Sequence, residues 1–172
     1  MKIAVVGVGV VGSAIKYGFE KLGHDVVPHD LRLQTKLQDV SESEICFLCL
    51  PTPSSTNGVC DTSVVEDIVG KLREIDYKGI VAIKSTVSPG TTQKLIDKYK
   101  WNNICFIPEF LRERCASIDF IENHDVCIIG TEHNWIYKKI MDAHGRYPKA
   151  FRQLTPTEAE LSKYFNNIYN AT

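Results

Sequence analysis

The chain opens Met1-Lys2-Ile3-Ala4-Val5-Val6-Gly7-Val8-Gly9-Val10-Val11-Gly12, and the reading of Gly7 to Gly12 decides the fold. Glycine spacing of this kind arises by chance, so its flanks must carry the argument. Lys2 to Val6 is a short β-branched run of the kind that forms strands. From about Val10 to Leu22 the spacing is helical, and Gly23 supplies a C-terminal cap. The glycines therefore join a strand to a helix. In that position Gly7 permits a sharp turn and Gly9 lets the main chain approach a pyrophosphate. Gly12 allows close packing of helix on strand, and the amides of Val10 and Val11 open a helix whose dipole favours an anion. A dinucleotide site also wants an acid at the end of the second strand for the adenosine ribose hydroxyls. Asp30 stands 18 residues beyond Gly12, against an expected spacing of about 20. An acid there favours NAD over NADP, while Arg32 adds a basic neighbour to the same end of the site.

The rest of the chain repeats the alternation. Strands are expected over Asp25 to His29, Ile45 to Leu50, Gly79 to Lys84, Ile104 to Ile107, Asp125 to Ile129 and Ala150 to Arg152. Helices are expected from an Asp61 N-cap to about Ile75, and over Thr91 to Tyr99, Trp135 to Ala143, and Thr157 onward. The fold class is α/β, a Rossmann-like, doubly wound and mainly parallel sheet in one domain. Pro28 fits poorly, because proline removes a ladder donor from what should be an interior strand.

Composition excludes other classes. With 172 residues, 44% hydrophobic and 24% charged, and a net charge of −1 spread along the chain, no basic nucleic-acid surface is expected. No apolar stretch reaches the ~20 residues of a membrane span, and a cytoplasmic protein is the default. Six cysteines are scattered. Cys46 and Cys49 form a CxxC, but on a strand they face opposite ways, so they read as small hydrophobes rather than a metal or redox pair. The five histidines share no motif, and no metal site is expected.

Four further stretches are distinctive: Leu50-Pro51-Thr52-Pro53, Lys84-Ser85-Thr86-Val87-Ser88-Pro89-Gly90-Thr91, Pro108-Glu109-Phe110-Leu111-Arg112-Glu113, and Glu160-Leu161-Ser162-Lys163-Tyr164-Phe165-Asn166-Asn167. The first three follow expected strands, at the end of the sheet where ligands sit in such folds. With the glycine motif, they make the chain resemble the N-terminal domain of the UDP-glucose/GDP-mannose dehydrogenases from Met1 to Thr172. That family oxidises the C6 alcohol of a nucleotide sugar to a carboxylate with two NAD⁺.

The resemblance implies a role for each matching residue. Pro51 and Thr52 lie against the cofactor, and Thr86 holds a catalytic water and touches the cofactor. Glu109 and Glu113 flank the reacting carbon, Glu113 being the better base and also close to the cofactor. The backbone of Phe110, Leu111 and Arg112 helps hold the sugar. Lys163 and Asn167, four apart on one helix face, stabilise the oxyanion. It further implies residues 1–155 as the NAD-binding domain and 156–172 as the start of a connecting helix that is cut short. The substrate is UDP-glucose or a relative, and the full-length protein is a homodimer. Glu158 and Glu160 read as helix-surface charge.

Three departures stand out. The family's nucleophilic cysteine belongs to a second domain with no counterpart in these residues. Only 14 residues separate Asp30 from Ile45 where relatives carry a longer insert, and Arg114 and Ile107 replace a glycine and a polar residue. Two other functions stay open: a β-hydroxyacid-type dehydrogenase, which shares the Lys163/Asn167 spacing, and a non-catalytic NAD-binding module.

Overall fold

The computed structural model describes residues 1–56 and 58–171, with side chains as far as Asn166. Seven strands form one sheet: β1 (Lys2–Val6), β2 (Asp25–His29), β3 (Ile45–Leu48), β4 (Ile80–Ile83), β5 (Ile104–Phe106), β6 (Val126–Gly130) and β7 (Ala150–Leu154). Their order is β2-β1-β3-β4-β5-β6-β7. Every neighbouring pair is parallel except β5 and β6, which meet antiparallel at Phe106 and Gly130. The helices are α1 (Val10–Lys21), α2 (Ser63–Glu74), α3 (Thr91–Tyr99), α4 (Ala116–Ile121), α5 (Asn134–His144) and α6 (Pro156–Ala171).

The pleat divides each central strand between two cores. Ile3 and Val5 face Ile15, Phe19, Phe120, Ile136 and Ile140 on one side. Ala4 and Val6 face Val65, Val69, Leu72 and Leu95 on the other. Residues 3–6 are all buried because helices cover both faces, so the strand reads as a continuous apolar run. Cys46 joins the second core and Cys49 packs on the first, so the two thiols diverge. Burial pushes the Cys49 thiol up to about 12, which leaves it protonated and unreactive at neutral pH. No group of acids, histidines and cysteines among the described residues is arranged to hold a metal.

Pro28 is explained by a correction. β2 is an edge strand, paired only with β1. Asp25 N–H donates to Met1 O and Gly7 N–H donates to His29 O, so odd-numbered residues of β2 bond toward β1. Pro28 points the other way, where no strand waits for a donor. The cause is the short link to β3, which holds only two 3₁₀ turns (Leu31–Leu33 and Leu37–Val40) and leads back to the far side of β1.

Two local expectations also shift. Thr62, not Asp61, is the residue before α2, although Asp61 still accepts Ser63 N–H at 2.9 Å. The short helix α4 was not foreseen; Phe120 brings it against α1 at Gly18.

No described helix is long and apolar enough to cross a membrane.

Candidate active site

The order in which strands are added reverses between the parallel neighbours β1 and β3, one leading to each half of the sheet, and a crevice for ligands forms at their carboxyl ends. The glycine turn lies there. Gly7 takes φ +88°, and a Cβ on it would sit 2.4 Å from Cys49 O. A Cβ on Gly12 would come within 1.9 Å of Gly7 O, so helix and turn touch only because both are glycine. Gly9 differs: nothing lies within 4 Å of where its Cβ would be. It precedes α1 with no side-chain cap, and no acid stands in the first turn. The first main-chain bond of the helix runs from Ser13 N–H to Gly9 O at 2.9 Å, which leaves the earlier amides to a ligand. Open space over unclaimed amides at a helix start fits the diphosphate of a dinucleotide.

Asp30 closes the other end. Its Oδ2 accepts Val8 N–H at 2.8 Å, tying this acid to the glycine turn. Arg32 donates to Oδ1 through its backbone N–H and Nε, both at 3.0 Å, and to Oδ2 through Nη2 at 3.2 Å. The Arg32 hydrogen bonds, with that from Val8, hold the Asp30 carboxyl well below the usual carboxylate range. Thr52 is half-buried and Pro51 exposed in the loop after β3. The Cys60 thiol donates to Thr86 O at 3.2 Å and reaches Thr52 O at 3.7 Å, so one side chain staples the two loops expected beside the cofactor.

Beyond β4 and β5 lies a second cluster. Glu109 is 7% exposed, and its Oε2 lies 2.9 Å from Nζ of Lys84, itself 5% exposed. The contact is ionic rather than a well-aligned hydrogen bond. Glu109 Oε1 accepts Phe110 N–H at 2.9 Å. From α6, Lys163 donates to the Glu109 carbonyl and lies 5.7 Å from the centre of the Phe110 ring. Burial pulls the Lys163 ammonium below the ordinary lysine range; Glu109 opposes this and the Lys84 charge adds to it. The strand end, the Pro-Glu-Phe loop and the final helix thus converge.

Glu113 is exposed at the start of a 3₁₀ turn and makes no hydrogen bond or ion pair among the described residues. Arg112 is fixed by Asp119, which takes Nε at 2.9 Å, Nη2 at 2.7 Å and the backbone N–H at 3.0 Å. A cleft of about 470 Å³ opens beside this loop, lined in part by Phe110, Leu111, Arg112, His124, Ser162 and Asn166. Asn167 belongs to α6, but its side chain lies outside the described residues.

Sequence reasoning missed two residues. Lys84 was placed at the end of an expected strand and given no role, though a charge closing a buried apolar run was the available signal. Glu160, expected to be surface charge, is fully buried. Its carboxylate accepts Gly90 N–H at 2.5 Å and Thr92 N–H at 2.8 Å, capping α3 from α6. It therefore ties the helix of Lys163 to the loop of Thr86. Burial raises its pKa against the pull of those hydrogen bonds. Glu160→Ala should strand two amides at a cost of about 1–3 kcal/mol, read as faster hydrogen exchange at the Thr92 amide; unchanged exchange there would refute the capping role.

The sequence profile described as "UDP-glucose/GDP-mannose dehydrogenase family, NAD binding domain" matches residues 28–143. UDP-glucose 6-dehydrogenase AglM of Haloferax volcanii is 28% identical over 225 aligned positions, covering 100% of this chain and 52% of AglM. A UDP-glucose 6-dehydrogenase of Campylobacter jejuni is 27% identical over 210 positions, covering 99% of this chain and 53% of its own. The solved structure of a UDP-glucose dehydrogenase from Pyrobaculum islandicum superposes with a TM-score of 0.89 at 26% identity, over 99% of this chain and 50% of that one. The present chain thus spans about half the length of these relatives. Alignments longer than its 172 residues mean that AglM carries segments this chain lacks. With the profile, the fold and the two clusters in agreement, the chain belongs to the UDP-glucose/GDP-mannose dehydrogenase family and carries that family's NAD-binding domain.

Proposed function

We propose that this chain is the coenzyme-binding half of a nucleotide-sugar 6-dehydrogenase, with UDP-glucose or a close relative as substrate. The observation that carries the reading is the open space over Gly9 at an uncapped helix start, with Asp30 tied to the same turn through Val8. Bound NAD⁺ supplies the hydride acceptor. The amides of Val10, Val11 and Gly12 would receive its diphosphate, Asp30 its adenosine ribose, and Pro51, Thr52 and Thr86 would flank the rest.

Beside that half, Lys163 would hold positive charge where an oxyanion develops, joined by Asn167 from one turn further along α6. Its lowered pKa makes proton exchange easier than for a free lysine. Glu113, exposed and unengaged, is free to take a proton from water, whereas the Glu109 carboxylate is committed to Lys84 and to its own loop. Glu109 thus orients the loop that presents Phe110, Leu111 and Arg112 to a sugar. The nucleophilic cysteine of such a reaction would be supplied by a second domain that these 172 residues do not include. Cys46, Cys105 and Cys127 are buried, and burial raises all three thiols.

Gly9→Val tests the reading directly. Its φ of −82° suits any residue and its Cβ meets nothing, so the variant should fold as the parent does. In calorimetry it should bind NAD⁺ at least about tenfold more weakly, a loss of about 1.4 kcal/mol or more. Unchanged affinity would sink the proposal.

A further inference from the structure

At the ribose end of the coenzyme site, donors and acceptors are distributed in a way the glycine motif does not foretell. We propose that Arg32 adapts this end to a 2′-phosphate, so that the chain binds NADP(H) as well as NAD(H). The inference rests on the dinucleotide site proposed above.

The two hydroxyls of an unmodified ribose bring donors, and they need carboxylate lone pairs to receive them. Asp30 has none to spare. Oδ1 already takes two donors from Arg32, and Oδ2 takes Val8 N–H and Arg32 Nη2. A carboxylate accommodates about four donors, so the diol must displace the guanidinium before it is held. A phosphate brings the opposite chemistry: acceptors only. It needs donors and positive charge, and these are what the pair still offers. The Arg32 side chain is 72% exposed although pinned, and its Nη1 has no hydrogen-bond partner among the described residues. Nη2 also donates to Val8 O at 3.0 Å, which anchors the guanidinium across the mouth of the site. The ion pair cancels the Asp30 charge that would otherwise repel a phosphate, and it holds in a fixed direction the two Nη1 N–H groups left to receive one. Space is available as well. β2 has no outer neighbour, and Leu31 between the two residues is 93% exposed.

Titration calorimetry of this chain with NAD⁺ and NADP⁺ in the same buffer tests the assignment. NADP⁺ should bind within about tenfold of NAD⁺. Arg32→Ala should weaken NADP⁺ by about tenfold or more while leaving NAD⁺ equal or tighter, because it frees the Asp30 lone pairs. Arg32→Lys, which keeps the charge but not the fixed pair of Nη1 N–H groups, should fall between. Discrimination against NADP⁺ beyond about a hundredfold in the parent chain would overturn the inference and leave the NAD site standing. Equal weakening of both coenzymes in Arg32→Ala would overturn it too, by reducing Arg32 to a structural role. Failure of the parent to bind either coenzyme would remove the dinucleotide site itself.

Discussion

Lys84→Met is expected to destabilise the fold by about 3–5 kcal/mol, because it leaves the Glu109 carboxylate buried without its cation. The side chains are 2% and 9% exposed, so water cannot take the place of either partner. Burial alone would lower the Lys84 pKa; the Glu109 carboxylate outweighs it and holds the ammonium above the ordinary lysine range. The ammonium is therefore charged at neutral pH and depends on its carboxylate partner. The double variant Lys84→Met/Glu109→Gln should recover much of the loss, since a neutral pair has no stranded charge. Urea unfolding of the four proteins in a double-mutant cycle measures this coupling. Additive losses would show that the two side chains act independently. The pair also bears on the site. Without Lys84, the nearest remaining cation for Glu109 is Lys163, whose ammonium already donates to the Glu109 carbonyl. A second consequence is that Lys163 would be drawn away from its place beside the Phe110 ring, where the proposed function needs it.

Acidification from pH 7 to 4.5 should remove about 5 kcal/mol of stability through two histidines, a loss comparable with the whole stability of many domains. His144 is completely buried among Phe19, Phe47, Phe120 and Phe151. Its Nδ1–H donates to Ile140 O at 2.8 Å, which leaves Nε2 without a partner among the described residues. Burial, with the Lys84 charge, pushes its pKa well down. His124, 5.9 Å away between ring centres, is pushed down to about 4 for the same reasons in the same order. The sign follows from proton counting. Below pH 6.5 the unfolded chain protonates these rings and the folded chain does not, so stability falls as pH falls. Each ring contributes about 1.4 kcal/mol per pH unit across that window.

Other groups contribute less, Glu44 and Glu158, both lowered, adding to the loss only at the acid edge. Asp30 and Asp119, both lowered, take effect only below the window. Glu160, with its raised pKa, stabilises slightly as it protonates and opposes the trend. His144→Phe should flatten the pH dependence of the urea midpoint between 6.5 and 4.5. A variant with the parent slope would rule out His144 as the cause.

Much of this protein was legible locally. Strand spacing follows β-branched and apolar runs such as Ile3–Val6 and Ile80–Ile83, because burial on both sheet faces demands them. The glycine turn was readable because its steric demands fall within six residues: Gly12 must clear the carbonyl of Gly7. Asp30 followed from its distance beyond that turn, and the motif after each strand pointed to the carboxyl end of the sheet.

What the sequence left open depends on contacts across long stretches of chain. Whether β2 is an interior or an edge strand is settled by where the 31–44 connection returns, and no residue near Pro28 encodes that path. Glu160 sits between Ala159 and Leu161 on a helix that looks amphipathic. It is buried only because α6 crosses the start of α3, about 70 residues earlier, where two amides await an acceptor. Lys84 and Glu109 lie on successive strand ends, and their pairing needs the parallel register of β4 and β5 to bring them side by side. Local pattern thus determined which elements form and which turn leaves its amides open at a helix start. Tertiary structure alone decided which charges are buried together, since desolvation is set by everything that packs around a group and not by its neighbours in the chain.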